Sequence, residues 1–273
     1  MLVWFDPVNT ETAPMPKVPW KRVKALVERV QRSWPTRVCV GALFGSGVPF
    51  RGTWIRPASR FSVEGPILLA GNYERSEIDF VHRYLPTGQQ VIELGASIGG
   101  NSCQIARRLL PGVPMTCVEA NPELIGVLKG NLARNHPGRD VNVVHAMVGD
   151  AAGVGRLQLD HSTLRSSRSV GTRSVEVPAR TLADIVAMIR PGPYSLVCDI
   201  EGAEAAFLEN PGGVLDRCTC IVMEGHATTH QGRQLSLDDV LSMPLRSGGW
   251  RQVDRYGAVA AYVRQIPGPA ETR

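Results

Sequence analysis

Three short segments of the 273-residue sequence carry residue types that can bind and activate a small molecule. The first is residues 91–100, VIELGASIGG, in which an apolar strand leads into a loop of small residues and then a helix start. Small residues let the backbone approach a ligand closely, and a helix N-terminus leaves free N–H groups. Because the glycines are Gly95, Gly99 and Gly100, the spacing differs from the dinucleotide fingerprint G-x-G-x-x-G.

This spacing, acid-x-Gly-x-Ser-x-Gly, suits S-adenosylmethionine (SAM) better than a nicotinamide cofactor. We expect Glu93 to lie near the cationic methionine end of SAM, and Ser97 stands where a third glycine is usual. The second segment is the end of the next strand, where Glu119 follows Gly95 by 24 residues. An acid at that position typically accepts hydrogen bonds from both ribose hydroxyls. Together, the loop and Glu119 predict a SAM site.

The third segment is Asp199-Ile200-Glu201-Gly202-Ala203-Glu204, directly after an apolar strand. Glu224 follows the next strand, with His226 two residues later. Ligands of α/β domains bind at the carboxyl ends of parallel strands, so these side chains are expected at one rim. Like charges this close are costly unless they are protonated, paired or bridged by a cation. For each acid, a plain helix-capping role is the alternative.

The elements that position these segments alternate. Strand-length apolar runs occupy residues 91–94, 115–118, 141–146, 195–198 and 218–223, and periodic helical segments occupy 101–110, 122–135, 181–189 and 203–209. This order predicts an α/β fold with a mostly parallel sheet covered on both faces. The runs 250–255 and 258–264 are joined by two residues, which predicts an antiparallel C-terminal hairpin. In residues 218–223, simple alternation places Cys218 and Cys220 on the same side.

The N-terminal 72 residues are expected to form a helical and irregular extension. Residues 20–34 show apolar residues at three- and four-residue steps with basic residues between them, which predicts an amphipathic helix ended by Pro35. Its basic face either contacts an acidic partner or is simply the outer side of a helix packed on the domain. Residues 36–72 are expected to form short strands and turns. Residues 160–175 are expected to be a long surface loop that offers Arg165, Arg168 and Arg173 to a substrate.

Composition sets broad limits. The formal net charge is only +5, and no long run of Lys or Arg indicates a nucleic-acid partner. We find neither a signal-peptide pattern nor an apolar stretch of about 18 residues, so a cytoplasmic protein without membrane contact is expected. The six cysteines contain no C-x-x-C pair and are expected to be reduced thiols, mostly in the core.

With these segments in hand, the sequence resembles the FkbM family of SAM-dependent methyltransferases, over residues 73–226. The motifs that carry the resemblance are VIELGASIGG, CVEANPELIGVLKGNLARN, VHAMVGD, VPARTLADIV, CDIEGAEAAFLEN and IVMEGH. The resemblance implies a Rossmann-like class I methyltransferase domain with a seven-stranded sheet at residues 73–266, followed by a tail at 267–273. It also implies an O-methyltransferase that acts on a hydroxyl of a sugar or polyketide-like natural product.

Carried over by position, the resemblance implies two groups of site residues. The cofactor residues are Glu93, Gly95, Ala96, Ser97, Gly99, Glu119 and Asn121, with Ala146 and Met147 against the adenine. The residues that face the acceptor are Asp199, Glu201, Glu204, Glu224 and His226.

An aliphatic hydroxyl stays protonated at neutral pH, so its methylation needs a general base or a metal. His226 has the best unperturbed pKa for the base. Alternatively, Asp199 and Glu224 offer hard oxygen ligands for Mg²⁺.

Other functions stay open. The acceptor could be an amine or a carboxylate. A nucleic-acid amino group is disfavoured, because Asp199-Ile200-Glu201-Gly202 stands where an N/D-P-P-Y/F motif would be. A non-catalytic SAM-binding partner protein is the alternative from another class. The N-terminal extension could carry a homo-oligomeric contact.

Overall fold

The computed structural model describes residues 20–159, 166–167 and 173–265. The first half of the described chain comprises α1 (Trp20–Arg32), α2 (Trp34–Leu43), β1 (Val48–Phe50), β2 (Thr53–Ile55), α3 (Glu64–Leu69), α4 (Arg75–Tyr84), β3 (Gln90–Leu94), α5 (Gly100–Arg108), β4 (Met115–Glu119), α6 (Pro122–Asn135) and β5 (Val141–His145). The second half comprises β6 (Met147–Val148), β7 (Gly153–Leu159), β8 (Ser166–Ser167), β9 (Arg173–Arg180), α7 (Leu182–Val186), β10 (Tyr194–Cys198), α8 (Ala205–Leu208), β11 (Cys218–Glu224), β12 (Thr228–His230), β13 (Arg233–Leu235), α9 (Leu237–Arg246), β14 (Trp250–Tyr256) and β15 (Val259–Arg264).

A seven-stranded sheet forms the centre, in the order β14-β15-β11-β10-β3-β4-β5. The five strands from β11 to β5 are parallel, whereas β15 and β14 are antiparallel to their neighbours. The prediction of a mostly parallel seven-stranded sheet with an antiparallel C-terminal hairpin is confirmed. The chain order reverses between β3 and β10, and this switch point is where α/β domains bind their ligands.

The sheet buries apolar side chains on both faces. One core joins the sheet to α4, α5 and α6, and it also contains Val48, Phe50, Ile55 and Leu68 from the N-terminal segment. The other core joins the sheet to α7, α8 and α9. Residues of the predicted extension therefore share a core with the predicted domain, and the boundary at residue 73 stays a prediction.

Two asparagines of α6 complete the backbone hydrogen bonding of the N-terminal segment. Asn135 bonds the amide and the carbonyl of Trp54, and Asn131 bonds those of Arg56. Asn131 also donates to the carbonyl of Ile98 in the glycine-rich loop, with an N–O distance of 2.8 Å. Because these side chains replace a neighbouring strand, they fasten β2 and the loop to the same helix.

Three local predictions are wrong. Residues 36–72 contain α2 and α3 as well as short strands, and Pro35 lies in the first turn of α2, where its missing N–H costs nothing. Residues 160–175 are not wholly a loop: β8 pairs with β7, and residues 173–175 begin β9. Arg165 and Arg168 lie outside the described residues, while Arg173 forms an ion pair with Glu123.

The third wrong prediction concerns the cysteines of β11. Cys218 belongs to one core and Cys220 to the other, so they face opposite sides of the sheet. The reason is a bulge: Tyr194 pairs with Cys218, but its neighbour Ser195 pairs with Cys220. The expectation of buried free thiols holds for five of the six cysteines, and Cys39 is exposed.

A second, four-stranded sheet in the order β6-β9-β7-β8 lies between β5 and α7 along the chain. Its own apolar cluster contains Met147, Leu157, Leu159 and Val177. Since β6 directly follows β5, this small sheet stands beside the carboxyl edge of the large one. Among the described helices, none combines the length and apolar character needed to cross a bilayer.

Candidate active site

A cavity of about 780 Å³, counting the space open at its mouth, lies at the switch point. It is lined by Tyr73, Glu74, Gly95, Ser97, Val118, Glu119, Ala120, Leu124, Ala146, Met147, Val148, Leu157, Asp199, Ile200, Glu201 and Ala203. The walls have two characters, since one end is apolar and the rest carries four carboxylates.

The loop between β3 and α5 forms the floor. Gly95 has a φ of 86°, and a Cβ there would overlap the backbone carbonyl oxygen of Asp199. Ser97 has a φ of 49°, a conformation that favours glycine, which agrees with its position where a glycine is usual. The hydroxyl of Tyr73 donates a hydrogen bond to Ser97 Oγ with an O–O distance of 3.3 Å.

Glu119 ends β4 and turns its carboxylate back toward the loop. The amide of Ser97 donates to Oε2 at 2.7 Å, and the amide of Asn121 donates to Oε1 at 2.6 Å. Burial raises the pKa of Glu119, although the amides of Asn121 and Ser97 act in the opposite direction. Each oxygen keeps a lone pair, so the carboxylate both orders the loop and can accept hydrogen bonds from a ligand.

Glu93 lies elsewhere than expected. Its side chain is buried beneath α5, where Ser102 Oγ donates to Oε2 at 2.5 Å, and it does not line the cavity. Burial raises the pKa of Glu93 to about 7, against the hydrogen bonds from Ser102 and Cys117. Side chains alternate between the two faces of β3, and Glu93 falls on the face that α5 covers. The cavity opens only beyond Leu94, after the strand has ended.

Of the other predicted cofactor residues, Gly95, Ser97, Ala146 and Met147 line the cavity. Ala96, Gly99 and Asn121 do not. Ala96 is buried, Gly99 precedes α5 in a left-handed conformation, and the Asn121 side chain caps α6 by accepting from the amide of Glu123. These three residues shape the loop and the helix ends from behind the cavity wall.

Sequence reasoning missed Tyr73, Glu74 and Leu157. Glu74 precedes α4 in a left-handed conformation with a φ of 42°, and its carboxyl faces the cavity. Burial raises the pKa of Glu74, and the charge of Asp199 adds to this effect. The Tyr-Glu pair directly before a helix could have indicated Tyr73 and Glu74 as site residues. No sequence signal indicated Leu157, since part of the second sheet was expected to be a loop.

The acids after β10 surround His226. Its Nε2 lies 3.8 Å from Asp199 Oδ1 and 3.7 Å from Glu201 Oε2, and its Nδ1 donates to Glu204 Oε1 at 3.0 Å. Glu204 is fully buried and also accepts from the amides of Ile200 and Gly202. Glu201 has a φ of 52°, and this turn folds its side chain back toward Asp199.

These neighbours change the protonation of the cluster. Burial lowers the pKa of His226, but the hydrogen bond to Glu204 and the charges of Asp199 and Glu201 outweigh it, so that the pKa rises to about 9. Burial and the charge of Glu224 raise the pKa of Asp199 to about 8. At neutral pH, His226 is therefore a cation, and Asp199 is ionised only in part.

The metal pair predicted at Asp199 and Glu224 stays a prediction. Within the described chain, Asp199, Glu201 and His226 form a group of three possible ligands whose atoms lie within 4.8 Å of one another. Glu224 is not part of this group, although its charge acts on Asp199. Neither Glu224 nor His226 lines the cavity, whereas Asp199 and Glu201 do.

Comparison with known proteins adds a family. The family model described as the methyltransferase FkbM domain matches residues 93–251, which is more than half of the chain. No curated protein matches the sequence.

Among solved structures, one similar chain is the N-terminal domain of EvdMO1, solved with SAH and D-fucose, at 12% identity and a TM-score of 0.42, covering 91% of this chain and 98% of that chain. A second is the O-methyltransferase TomG from Streptomyces achromogenes, in complex with SAM, at 12% identity and a TM-score of 0.42, covering 70% and 78%. A third is the ribosomal protein L11 methylase from Lactobacillus delbrueckii, at 11% identity and a TM-score of 0.41, covering 72% and 80%. At such low identities and TM-scores, these likenesses say nothing about the acceptor or the catalytic residues of this chain.

Proposed function

Since the chain belongs to the FkbM family of methyltransferases, we propose that it transfers the methyl group of SAM to a hydroxyl of a sugar or a related natural product. The chain is a methyltransferase. SAM is the methyl donor that we propose for it. The observation that carries the donor site is the cavity wall, in which Glu74, Glu119, Asp199 and Glu201 place four carboxylates. SAM brings a sulfonium and an ammonium group. Their positive charges favour the ionised forms of Glu74, Glu119 and Asp199, whose pKa values are raised by burial, so binding and ionisation support each other.

The two characters of the cavity suggest how SAM lies in it. Met147, Val148 and Leu157 from the second sheet make the apolar end, which suits the adenine. Glu119 is placed to accept from the ribose hydroxyls. Glu74 takes the role that the sequence had assigned to Glu93, because its carboxyl faces the cavity and can pair with the cationic methionine end.

Asp199 is the group we assign as proton acceptor. In the reaction, the hydroxyl oxygen forms a bond to the methyl carbon, the carbon–sulfur bond breaks, and the hydroxyl proton passes to a base. Asp199 lines the cavity, and with a pKa of about 8 its ionised fraction is a stronger base than an ordinary carboxylate. The positive charge of His226 and that of bound SAM increase this ionised fraction. His226, with a pKa of about 9, keeps its proton to higher pH than Asp199 does. It therefore serves as the cationic partner that positions Asp199 and Glu201, and buried Glu204 orients its ring.

A divalent metal is the alternative way to activate the hydroxyl. The donor set of Asp199, Glu201 and His226 mixes oxygen with nitrogen, which suits Mn²⁺, Fe²⁺ or Zn²⁺ better than the Mg²⁺ expected for Asp199 and Glu224. A metal would have to displace the Nε2 proton of His226, and the raised pKa of that group opposes this at neutral pH. We therefore favour the base route. If complete metal removal by EDTA stops methyl transfer, the metal route takes its place.

The acceptor is tested by methyl transfer from SAM labelled in its methyl group. The panel pairs free sugars and glycosides with amino sugars and sugar acids of matched shape, so that only the nucleophile differs. The proposal expects label on a hydroxyl in an ether linkage that survives mild alkali. Label found only on the amine, or only in an alkali-labile ester, would mean that the acceptor is an amine or a carboxylate and not a hydroxyl. SAM binding without transfer to any class would favour the partner-protein alternative.

A further inference from the structure

The helix α1 presents its apolar side to solvent. Leu26, Val27 and Val30 fall on one side of the helix at steps of three and four residues. These three residues are 62%, 44% and 52% exposed, respectively. A helix whose apolar side packed on the domain would bury these positions. The alternative of a helix simply packed on the domain therefore does not account for their exposure.

Two aromatic residues extend this surface beyond α1. Trp34 is 61% exposed and Phe61 is 38% exposed, and their ring centroids lie 6.2 Å apart. The guanidinium of Arg37 lies 5.4 Å from the Trp34 ring, and that of Arg60 lies 5.5 Å from the Phe61 ring. Leu26, Val27, Val30, Trp34 and Phe61 together are called the N-terminal apolar patch. It combines an exposed apolar helix side with an exposed aromatic pair edged by arginine, and exposed apolar patches mark interaction sites.

The charge of α1 decides between occupants. Its 13 residues include five basic ones against the single acid Glu28, namely Lys21, Arg22, Lys24, Arg29 and Arg32. A second copy docked through the same helix would cover the apolar residues, but it would bring five more basic residues and one more acid, so it would supply no opposite charge. An anionic surface is complementary to both sides of the helix at once, since it accepts apolar side chains and attracts the arginines and lysines.

We propose that α1 docks this methyltransferase on an anionic lipid bilayer. The helix lies in the plane of the membrane surface, with the N-terminal apolar patch at the boundary between headgroups and acyl chains. A basic polar side, an opposite side with Leu, Val and Trp, and low average hydrophobicity are the features of interfacial helices. The expectation of no membrane contact rested on the lack of a spanning segment, and surface docking needs none.

The test is co-sedimentation of the full chain with vesicles at low salt. Vesicles of phosphatidylcholine mixed with phosphatidylglycerol should bind the protein at least about tenfold better than pure phosphatidylcholine, and added salt should weaken this binding. The double variant Leu26→Glu/Val30→Glu should stay in the supernatant. Val154→Glu is the matched control, because Val154 in β7 is an apolar residue that is 73% exposed elsewhere on the molecule.

SAH binding is measured on every variant, and it should not change. This readout separates failure of membrane docking from failure of the cofactor site. If the double variant loses SAH binding, Arg29→Glu/Arg32→Glu, which alters two exposed side chains, decides instead. Wild-type protein that ignores anionic vesicles, or charge-reversed protein that still binds them, would overturn the proposal. A dimer that dissociates in the double variant, without vesicle binding, would make the patch a contact between copies.

Discussion

Gly95 in the glycine-rich loop lies directly against the backbone carbonyl of Asp199. The amide of Asp199 donates to the carbonyl of Leu94 with an N–O distance of 2.9 Å, so the two segments meet where β3 and β10 end side by side. The loop proposed to hold the methyl donor and the acid proposed to face the acceptor are therefore fixed by the same backbone contact. Their separation is set by the sheet and not by flexible side chains.

This contact predicts the cost of a single methyl group. Gly95→Ala adds a Cβ that overlaps the Asp199 carbonyl at a φ of 86°, so we expect a loss of roughly 2 kcal/mol or more in the free energy of unfolding. SAH binding should weaken as well. Urea unfolding and calorimetry measure the two effects.

Gly126→Ala is the control for that substitution. Gly126 lies in α6 with no atom within 4 Å of an added Cβ, and alanine should stabilise this helix by about 0.5–1 kcal/mol. If the two alanine variants are equally stable, the contact between Gly95 and Asp199 is not as tight as described.

Asp199→Asn tests the assignment of the base. The amide keeps the shape of the side chain but cannot take up the proton, so kcat should fall by about 100-fold or more. SAH affinity should change little. Asp238→Asn, at a carboxylate that is exposed on α9, should retain full activity. Equal losses of kcat and SAH affinity in Asp199→Asn would mean that the residue acts mainly in donor binding.

The hydrogen bond to Glu204 is the first of the contacts that raise the pKa of His226. We expect Glu204→Gln to lower the pKa of His226 from about 9 toward its ordinary value, because a buried carboxylate is replaced by a neutral amide. Histidine proton shifts in NMR spectra measure this directly. His136 is an internal reference, since burial lowers its pKa, and it should not respond to the substitution.

The same shift predicts a pH dependence of stability. The pKa of His226 is higher in the folded chain than in the unfolded one, where it is about 6.5. Its contribution is therefore fully present below that pH and is lost as the pH rises toward about 9. The wild type should lose more of its free energy of unfolding across this window than Glu204→Gln. Equal pH profiles would contradict the role of Glu204.

Much of the fold could be predicted because the large sheet repeats one pattern. Strands buried on both faces appear as continuous apolar runs, and each helix between them has its own period and its own end signals. The glycine-rich loop and Glu119 were found because each lies immediately after such a strand. Where the pattern was interrupted, prediction failed: the bulge in β11 reversed the side of Cys218 relative to Cys220.

The cavity was only partly predictable, because several of its walls come from elements distant in sequence. Glu74 enters from the start of α4, whose packing against the sheet brings it beside Asp199. Leu157 enters from the second sheet, whose strands carry weak periodicity and pair through a segment rich in Ser and Arg. Whether Glu93 is buried depends on the residue at which β3 ends, because a shift of one residue exchanges the two faces of a strand.

The central claim is that the cavity between Glu119 and Asp199 holds the methyl donor. Calorimetric titration with SAH tests it, using the wild type, Glu119→Ala, and Glu123→Gln as a control at an exposed acid in the next helix. We expect one site per chain in the wild type and the control, and at least about tenfold weaker binding in Glu119→Ala, because hydrogen bonds to a carboxylate are lost. No binding to the wild type, or the same affinity in Glu119→Ala, would contradict the account.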